Sequence, residues 1–293
     1  MNKKNKNIII VISVVIVLLL YFFIQRYNKI DNYLFKYPSF PINFAWEEMP
    51  IDSKHFSNKE KFDREFIVTS NTLYQFYLYI KRYPLYIPYI EKKLKENDIP
   101  DDFKYLAIVE SALRNDIVSS AWAWWIWQFM PETAKSFWLI IDDYVDERYN
   151  FEKSTDAAIK YLNKIYSDLN DRTLVAASYN RWENAIKNAL SNQNVNSYYD
   201  LYLNEETGRY VYKILAVKYI IENYMEHKKI MDFVIWWDNF SIPNTKTITE
   251  WKIDNIVEWA NKNWQSYNNV KLLNPWIKWD SLPDWEWSIK ILK

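Results

Sequence analysis

Three residue types are scarce or missing, and each scarcity excludes a kind of chemistry. The 293 residues include no cysteine, two histidines and one glycine. Without cysteine there are no disulfides, thiolate nucleophiles or cysteine-bound zinc, and two histidines, His55 and His227, argue against a histidine-based metal site. We therefore expect no metal and no cofactor, and we expect any catalysis to use carboxylate and hydroxyl groups.

An excess of either charge is missing as well. The 37 basic residues balance the 37 acidic ones, and no basic block follows the N-terminus, so the sequence lacks the electrostatic footprint of a nucleic-acid-binding protein. Because 49% of the residues are hydrophobic and 25% are charged, the chain is typical of a folded protein with one large domain or two smaller ones. We expect no nucleic-acid partner.

The single glycine, Gly208, contrasts with sixteen tryptophans. Average glycine usage of about 7% would give roughly twenty glycines in a chain of this length. Glycine adopts positive φ at low cost, so its near absence requires an explanation. The stretch SSAWAWWIWQFMPETA, residues 119–134, holds four tryptophans within six positions. Any explanation must cover both the missing glycines and the excess of indoles.

An apolar run lies close to the N-terminus. MNKKNKN carries three lysines and residues 8–24 are uncharged; at about 1.5 Å per residue the run spans roughly 26 Å, near the short limit for crossing a bilayer. A cleaved signal peptide is the alternative, but the run exceeds a usual signal core and no small-residue cleavage site follows. We predict an uncleaved single-pass anchor within residues 1–27 in the cytoplasmic membrane, with the lysines cytoplasmic and the rest extracytoplasmic.

The spacing of apolar residues predicts a mainly α protein. We expect a helical lead-in over residues 28–75, a helical domain over 76–228 and a small α+β module over 229–293, which has a short helix and a closing strand. Pro84 and Pro88 are expected to break or begin helices. The helices predicted within the domain cover residues 131–137, 154–169 with Ser154 or Thr155 as N-cap, 172–180, 182–191 and 208–226.

A carboxylate lies on the apolar side of one predicted helix. In NDIPDDFKYLAIVESALRN, Glu110 is one turn from both Leu106 and Leu113, which places it on or beside the buried stripe. A carboxylate there is costly unless it is paired or protonated. From position alone such a glutamate is more often structural than catalytic, and both interpretations stay open.

Three motifs in order resemble the catalytic domain of the lytic transglycosylases, in particular the membrane-bound type D branch. They are the glutamate-serine pair of YLAIVESAL, the small-residue loop that leads into QFMPETA, and the tyrosine-asparagine of ASYNRWENAI, and they lie within residues 100–190. The resemblance implies a lysozyme-like helical catalytic domain. It also implies cleavage of the β-1,4 bond between N-acetylmuramic acid and N-acetylglucosamine in peptidoglycan, leaving a 1,6-anhydro end.

The same resemblance implies roles for individual residues. Glu110 would be the catalytic acid and base. The other implied site residues, which would line the glycan cleft, are Ser119, Gln128, Met130, Tyr179 and Asn180. Apart from the methionine, these are uncharged polar side chains suited to hydrogen-bonding sugar hydroxyls and acetamido groups. The expected partner is the peptidoglycan glycan strand.

Two other functions remain compatible with the sequence. One is a catalytically silent peptidoglycan-binding or scaffold protein, and the other is a muramidase, a hydrolase of the same fold. The C-terminal segment over 229–293 resembles a degenerate LysM-type glycan-binding module, with its short helix, its Leu-Asn-Pro step and its closing strand. Wall binding and a merely packed, structural extension are equally compatible with that segment.

Many of the tryptophans occupy positions that favour glycine. Trp122, Trp125 and Trp182 stand where the family has glycine. Eight others at turn-like positions would also be more natural as glycine; they are Trp46, Trp138, Trp236, Trp237, Trp251, Trp264, Trp279 and Trp285. By contrast, the tryptophans that fit as tryptophan are Trp127, Trp259, Trp276 and Trp287, and Trp124 fits either.

We hypothesise that the source organism reads UGA as glycine and that this sequence was translated with UGA as tryptophan. Because even an added methylene can strain a packed site, eleven added indoles would be costly. With glycine at these positions we predict an active enzyme. With true tryptophans beside Ser119 we predict a filled cleft and a glycan-binding or inert protein.

Overall fold

The chain divides into two units in the computed structural model, which describes residues 12–25, 37–114, 126–226, 240–241 and 243–293. One unit comprises residues 1–40 and 219–237, and the other comprises residues 41–218 and 238–293. The second unit carries the cleft described below.

The first unit contains a helix, α1, over residues 12–25. Its side chains are exposed along the whole of that range, and the range lies inside the predicted anchor. Within the described parts of the chain, no helix is both long and apolar enough to span a membrane.

Helices make up most of the second unit, which confirms the predicted mainly α fold. It opens with a two-residue hairpin, in which β1 (Asn43–Phe44) pairs antiparallel with β2 (Glu47–Glu48). The helices that follow are α2 (Asn58–Ser70), α3 (Leu73–Glu96), α4 (Lys104–Ser111), α5 (Pro131–Ser136), α6 (Phe151–Leu169), α7 (Arg172–Asn180), α8 (Glu183–Gln193) and α9 (Glu205–Glu226). Residues 219–226 of α9 are assigned to the first unit. Short 3-10 turns cover Asp101–Phe103, Glu147–Tyr149 and Tyr198–Asp200.

Two details of the helices differ from the sequence prediction. Helix α3 continues through Pro84 and Pro88, where breaks were expected; its apolar stripe is fully buried at Ile87 and Ile90, so tertiary packing offsets the hydrogen bonds that proline removes. Helix α6 begins at its N-cap Asn150, whose side chain accepts from Lys153 N at 3.1 Å, and not at Ser154 or Thr155. An Asn cap satisfies an orphan amide just as serine would.

The C-terminal module follows a strand-helix-helix-strand order. Strand β3 (Thr245–Glu250) pairs antiparallel with β4 (Trp287–Leu292), and α10 (Ile256–Lys262) and α11 (Tyr267–Leu273) lie between them in sequence. The short helix and the closing strand were predicted, whereas α11 was not. Along β4 buried and more exposed residues alternate, so one face of the two-stranded sheet packs into the module's core.

This module shares its core with a segment of the helical domain. The side chain of Val145 belongs to the module's buried cluster and forms a β-bridge with Ile277. The backbone amide of Asp146 donates to Trp276 O at 2.8 Å, and Lys278 N donates to Tyr144 O at 2.8 Å. The module therefore packs directly on residues 140–149.

The described tryptophans fall into two groups by burial. Those predicted to be true tryptophans are at most 9% exposed; they are Trp127, Trp259, Trp276 and Trp287. Those predicted to stand for glycine are at least 60% exposed; they are Trp46, Trp138, Trp182, Trp251, Trp264, Trp279 and Trp285. Three of the exposed group have positive φ, namely Trp46 at 70°, Trp138 at 66° and Trp264 at 58°. The remaining tryptophans lie outside the described residues.

Candidate active site

A cleft of about 780 Å³ opens where α4, α7 and the first turns of α9 approach each other. Of the site residues that the sequence predicts, it brings together Glu110, Gln128 and Asn180. Its lining residues are Glu65, Val68, Val109, Glu110, Gln128, Asn180, Glu205, Glu206, Arg209, Tyr210 and Lys213. It is large enough to hold several sugar-sized groups.

Glu110 lies in the last turn of α4, a helix whose other residues are all buried. The helix ends at Ala112, which adopts a left-handed φ of 56° and donates its amide to Ile108 O at 2.8 Å. The guanidinium of Arg82 donates to the carbonyl of Ala112 at 3.0 Å. A packed helix and a tied-down C-terminus therefore fix the position of the Glu110 side chain.

Burial is the main influence on the charge of Glu110. It raises the pKa of this carboxyl to about 7 from an ordinary 4.5, because few water molecules can solvate the charged form. A hydrogen bond from Tyr210 and the charge of Lys213 lower the pKa, and the nearby Glu206 raises it further. Lys213 is not within ion-pair distance; its ammonium donates to Val109 O at 3.3 Å. Glu110 is thus a carboxylic acid that stays protonated close to neutral pH.

Tyr210 is a site residue that the sequence analysis missed. Its hydroxyl, on the second turn of α9, donates to Oε1 of Glu110. Burial raises the pKa of Tyr210 well above its usual value, and the neighbouring Glu110 raises it further. Tyr210 therefore remains a donor over the whole working range of pH, and it leaves Oε2 of Glu110 as the oxygen free to carry the acidic proton. The two residues are 100 positions apart, and no pattern in one sequence pairs them.

Gln128 projects into the cleft from a strained turn. Its φ is 48°, a left-handed conformation that costs a non-glycine residue about 1–3 kcal/mol. Hydrogen bonds fix the carbonyls on both sides: Tyr179 Oη donates to Trp127 O at 2.8 Å, and Arg148 Nη1 donates to Phe129 O at 3.1 Å. The surrounding structure therefore determines where Gln128 points.

Tyr179 and Asn180 follow each other on α7 but have different surroundings. The Tyr179 ring packs near Trp127 and Phe129, so Tyr179 supports the Gln128 turn and is not among the residues that line the cleft. Asn180 lines the cleft, donates to Glu206 Oε1 at 3.0 Å and accepts from Thr207 Oγ1 at 2.9 Å. Asn180 therefore ties α7 to the start of α9.

The other two predicted site residues are not placed at the cleft. Met130 is the N-cap of α5, and its carbonyl accepts from Ala134 N at 2.9 Å; it is not among the cleft-lining residues. Ser119 lies outside the described residues, in the stretch 115–125. Both substrate contacts stay predictions.

Arginine side chains neutralise two of the other cleft carboxylates. Arg209 Nε lies 2.5 Å from Glu65 Oε1, and Glu205 Oε1 lies 2.9 Å from Arg64 and 3.0 Å from Arg209. Glu206 has no ion pair among the described residues. Over the same part of the chain, no group of histidine, aspartate and glutamate side chains could hold a metal ion. An isolated protonatable glutamate among hydrogen-bonding groups is suited to proton transfer.

Comparison with protein families identifies a domain in the region that carries the cleft. Residues 88–201 match the model of the Transglycosylase SLT domain. The matched stretch contains Glu110, Gln128 and Asn180. The match confirms the predicted resemblance to transglycosylases and, with the observed helices, the predicted lysozyme-like helical fold class.

Individual relatives share only part of their length with this chain. The membrane-bound lytic murein transglycosylase D of Escherichia coli strain K12 is 32% identical over 145 residues, which cover 47% of this chain and 32% of the relative. The protein of the same name from Escherichia coli O6:H1 gives the same values. The chain thus spans about a third of the length of these relatives.

One solved structure is similar over half of the chain. It is the lytic transglycosylase Slt of Pseudomonas aeruginosa, crystallised as an inactive mutant, with a TM-score of 0.39 and 20% sequence identity. The similar region covers 52% of this chain and 26% of that one.

Proposed function

We propose that this protein is a peptidoglycan lytic transglycosylase with Glu110 as its catalytic acid and base. The observation that carries the proposal is Glu110 itself, a carboxyl group in an open cleft with a pKa raised to about 7. It lies within residues 88–201, which match the transglycosylase domain. A glutamate tuned in this way can donate a proton near neutral pH.

The reaction needs one carboxyl group because the substrate supplies the remaining groups. Protonated Glu110 donates its proton to the glycosidic oxygen as the β-1,4 bond between N-acetylmuramic acid and N-acetylglucosamine breaks. The acetamido group of the substrate stabilises the positive charge at C1, as in substrate-assisted glycosidases. Carboxylate Glu110 then removes the proton of the C6 hydroxyl, whose oxygen bonds to C1, and the protonated acid is regenerated.

Neighbouring residues position the acid and the sugar. Tyr210 holds Oε1 of Glu110 and thereby directs Oε2 toward the bond to be broken. Gln128 and Asn180 both line the cleft and would contact the acetamido and hydroxyl groups of the glycan. Their amides can both donate and accept, which suits a neutral sugar.

Product analysis on purified peptidoglycan tests this function. The expected products carry 1,6-anhydro ends, which are lighter by one water than reducing ends and are distinguished by mass. Reducing ends that take ¹⁸O from labelled water would instead identify a muramidase. Binding to the sacculus without release of fragments would identify a silent binding protein.

One observation keeps the muramidase as a second candidate. Glu206 lines the same cleft, and its carboxylate forms no ion pair among the described residues. A second carboxylate without an ion pair could activate water as a general base, as in inverting glycosidases. In that case Glu206→Gln would abolish the reducing-end product, whereas the transglycosylase mechanism does not require Glu206.

We also propose that residues 1–27 anchor the protein in the cytoplasmic membrane, with the catalytic unit on the outer side. The support is the uncharged sequence of residues 8–24 and the exposure of every side chain in α1. Fractionation of cells with alkaline carbonate tests the anchor. The protein is expected to stay with the membrane pellet, and its release into the supernatant would disprove the anchor.

The sequence leaves two roles open for the C-terminal module, wall binding and a structural extension. The packing of the module favours the structural role. Val145 is part of its core, and Asp146 and Tyr144 hydrogen-bond to it through their backbones. We propose that it braces residues 140–149. In a Val145→Ala variant, hydrogen exchange should accelerate together in 140–149 and in β4; acceleration in only one of them would contradict the brace.

We further propose that the exposed tryptophans are glycines encoded by UGA. The support is the single glycine of the chain, the exposure of every described tryptophan in this set, and the positive φ of Trp46, Trp138 and Trp264. Positive φ is a conformation that glycine adopts freely and that bulky residues avoid.

The coding DNA and the native protein test the tryptophan proposal directly. UGA codons at Trp46, Trp138 and Trp264, with UGG at Trp127 and Trp276, are expected, and peptide masses from the native protein should show glycine. UGG at all sixteen positions would overturn the proposal. The activity assays above should therefore be run on both the tryptophan and the eleven-glycine versions.

A further inference from the structure

A second groove continues from the active cleft along α8. Its volume is about 540 Å³, and Glu205 lines both spaces. Arg181, in this groove, directly follows Asn180 of the cleft. A substrate that fills the cleft can therefore extend a branch into the groove without leaving the surface.

Amide and small side chains form one wall of this groove. Asn188 and Asn192 are one turn apart on α8 and share a face with Ala185 and Ala189. The alanines leave room, and each asparagine offers both a donor and an acceptor. This pairing suits a ligand with peptide groups, which need one donor and one acceptor for each amide.

The groove is also lined by an exposed aromatic ring on a fixed backbone, that of Tyr202. The Gln193 side chain accepts from Tyr202 N at 2.8 Å and donates to Tyr202 O at 2.9 Å. With its backbone held in this way, Tyr202 projects a side chain that is 89% exposed. Such a ring covers apolar ligand groups at little entropic cost.

Arg181 gives the groove its charge preference. Its Nη1 donates to the neutral Asn204 Oδ1 at 3.2 Å, and no carboxylate lies within ion-pair distance of it among the described residues. The nearby Glu205 does not neutralise it, because that carboxylate is held by Arg64 and Arg209. Arg181 is thus a guanidinium with its carboxylate-binding capacity unused, which favours an anionic ligand group.

We propose that this groove binds the peptide stem of peptidoglycan, with a stem carboxylate on Arg181 and stem amides on Asn188 and Asn192. The inference rests on the proposed function, because the glycan in the cleft delivers the stem to the groove. The protein would then recognise the peptide stem as well as the sugar backbone. Glycans that have lost their stems should therefore be poorer ligands.

Calorimetric titration of the full chain tests the groove. A Glu110→Gln background prevents turnover, and the two ligands are a disaccharide-tetrapeptide and the same disaccharide without its peptide. The peptide is expected to improve affinity about tenfold or more, the usual scale of one charge-assisted hydrogen-bonded contact. Adding Arg181→Ala should remove that gain, and amidating the stem carboxylates should remove it in the Glu110→Gln protein.

Control variants separate the groove from a general effect. Lys92→Ala removes one positive charge from α3, outside both the cleft and the groove, and should leave both affinities unchanged. Arg181→Lys should restore only part of the gain, because ammonium cannot form the bidentate pair. Equal weakening of both ligands by Arg181→Ala, or an unchanged gain from the peptide, would overturn the proposal.

The outcome is separable from that of the proposed function. If the wild-type protein releases no anhydro products but the peptide gain depends on Arg181, the function fails and the groove stands. If anhydro products form at equal rates from stem-bearing and stem-free glycans, the function stands and the groove fails.

Discussion

Two regions of this protein withdraw carboxyl groups from water, and they treat them in opposite ways. In the cleft, Glu110 has no cationic partner within ion-pair distance among the described residues, and burial raises its pKa to about 7. In the segment 140–149, Asp146 is also buried, but the Arg148 guanidinium binds both its oxygens, at 3.0 and 2.7 Å. One carboxyl lacks a cation beside it, and the other is paired with a guanidinium.

The difference between the two carboxyl groups distinguishes a group suited to proton transfer from a group that holds the structure in place. An unpaired buried acid costs stability and is retained where a proton must be moved. A buried, bidentate ion pair holds geometry, and here the same Arg148 also fixes the carbonyl of Phe129 beside Gln128. In the proposed mechanism the two regions cooperate: one supplies the proton, and the other fixes the turn of Gln128, which lines the same cleft.

The largest expected effect is on catalysis at the unpaired carboxyl. Glu110→Gln should lower the rate of anhydro-product formation by at least about 10³-fold, because the amide cannot donate and regain the proton. Glu206→Gln, in the same cleft, is the matched control and should keep the rate within about tenfold. Release of soluble fragments from peptidoglycan measures both, and full activity in Glu110→Gln would refute the assignment.

The next effect concerns the paired region. Arg148→Met should destabilise the protein by about 3–5 kcal/mol, because it leaves Asp146 buried without its partner. Adding Asp146→Asn to Arg148→Met should regain part of that loss. The side-chain oxygen of the asparagine can still accept the hydrogen bond from the backbone amide of residue 148, which the Arg148→Met substitution does not remove. Urea unfolding measures both variants, and equal stability of the single variant and the wild type would show that the pair is not needed.

A third effect compares the stability of the two regions against pH. The folded pKa of Glu110 lies above its ordinary value, so its contribution to stability is fully present below about pH 4.5 and is lost as pH rises through about 7. The loss is on the order of 3 kcal/mol at high pH. Glu110→Gln should therefore be more stable than the wild type at about pH 8.5 and similar to it at about pH 4.

Thermal unfolding at the two pH values measures this difference. Asp168→Asn, on the exposed side of α6, is a control for any general effect of removing a carboxylate. If the difference in stability between Glu110→Gln and the wild type did not change with pH, the pKa of Glu110 would be the same in the folded and unfolded protein. The proposed contrast between the two carboxyl groups would then be wrong.

The smallest expected effect is that of substituting Tyr210 on the activity and its pH dependence. Tyr210→Phe removes the hydrogen bond that lowers the pKa of Glu110, so the pKa should rise and the decline of activity on the alkaline side should move to higher pH. The maximal rate should fall about tenfold, or roughly 1.4 kcal/mol, because the acid is less well oriented. A uniformly lower rate with an unmoved pH profile would indicate a structural role only.

Local sequence patterns were informative wherever one element sufficed. The positions of α7 and β4 and the place of Glu110 beside a buried stripe all followed from apolar spacing. The burial of Trp127 and the exposure of Trp264 also agree with their local contexts. Where the prediction was wrong, tertiary packing was the cause: α3 runs through Pro84 and Pro88 because neighbouring helices bury its stripe.

The sequence by itself determined the helical character of the domain and the exclusion of thiol chemistry, because these depend on residue type and short-range spacing. It placed Glu110 beside a buried stripe, and the resemblance of its motifs to the transglycosylases made it the candidate acid. Only the tertiary structure decided that Tyr210 holds Glu110 and that Arg148 fixes the turn of Gln128. It also showed that no carboxylate in the described part of the chain lies within ion-pair distance of Arg181. Those relations join residues far apart in the chain. Hydrogen bonds and desolvation depend on distances of a few ångströms, which no single-sequence pattern contains.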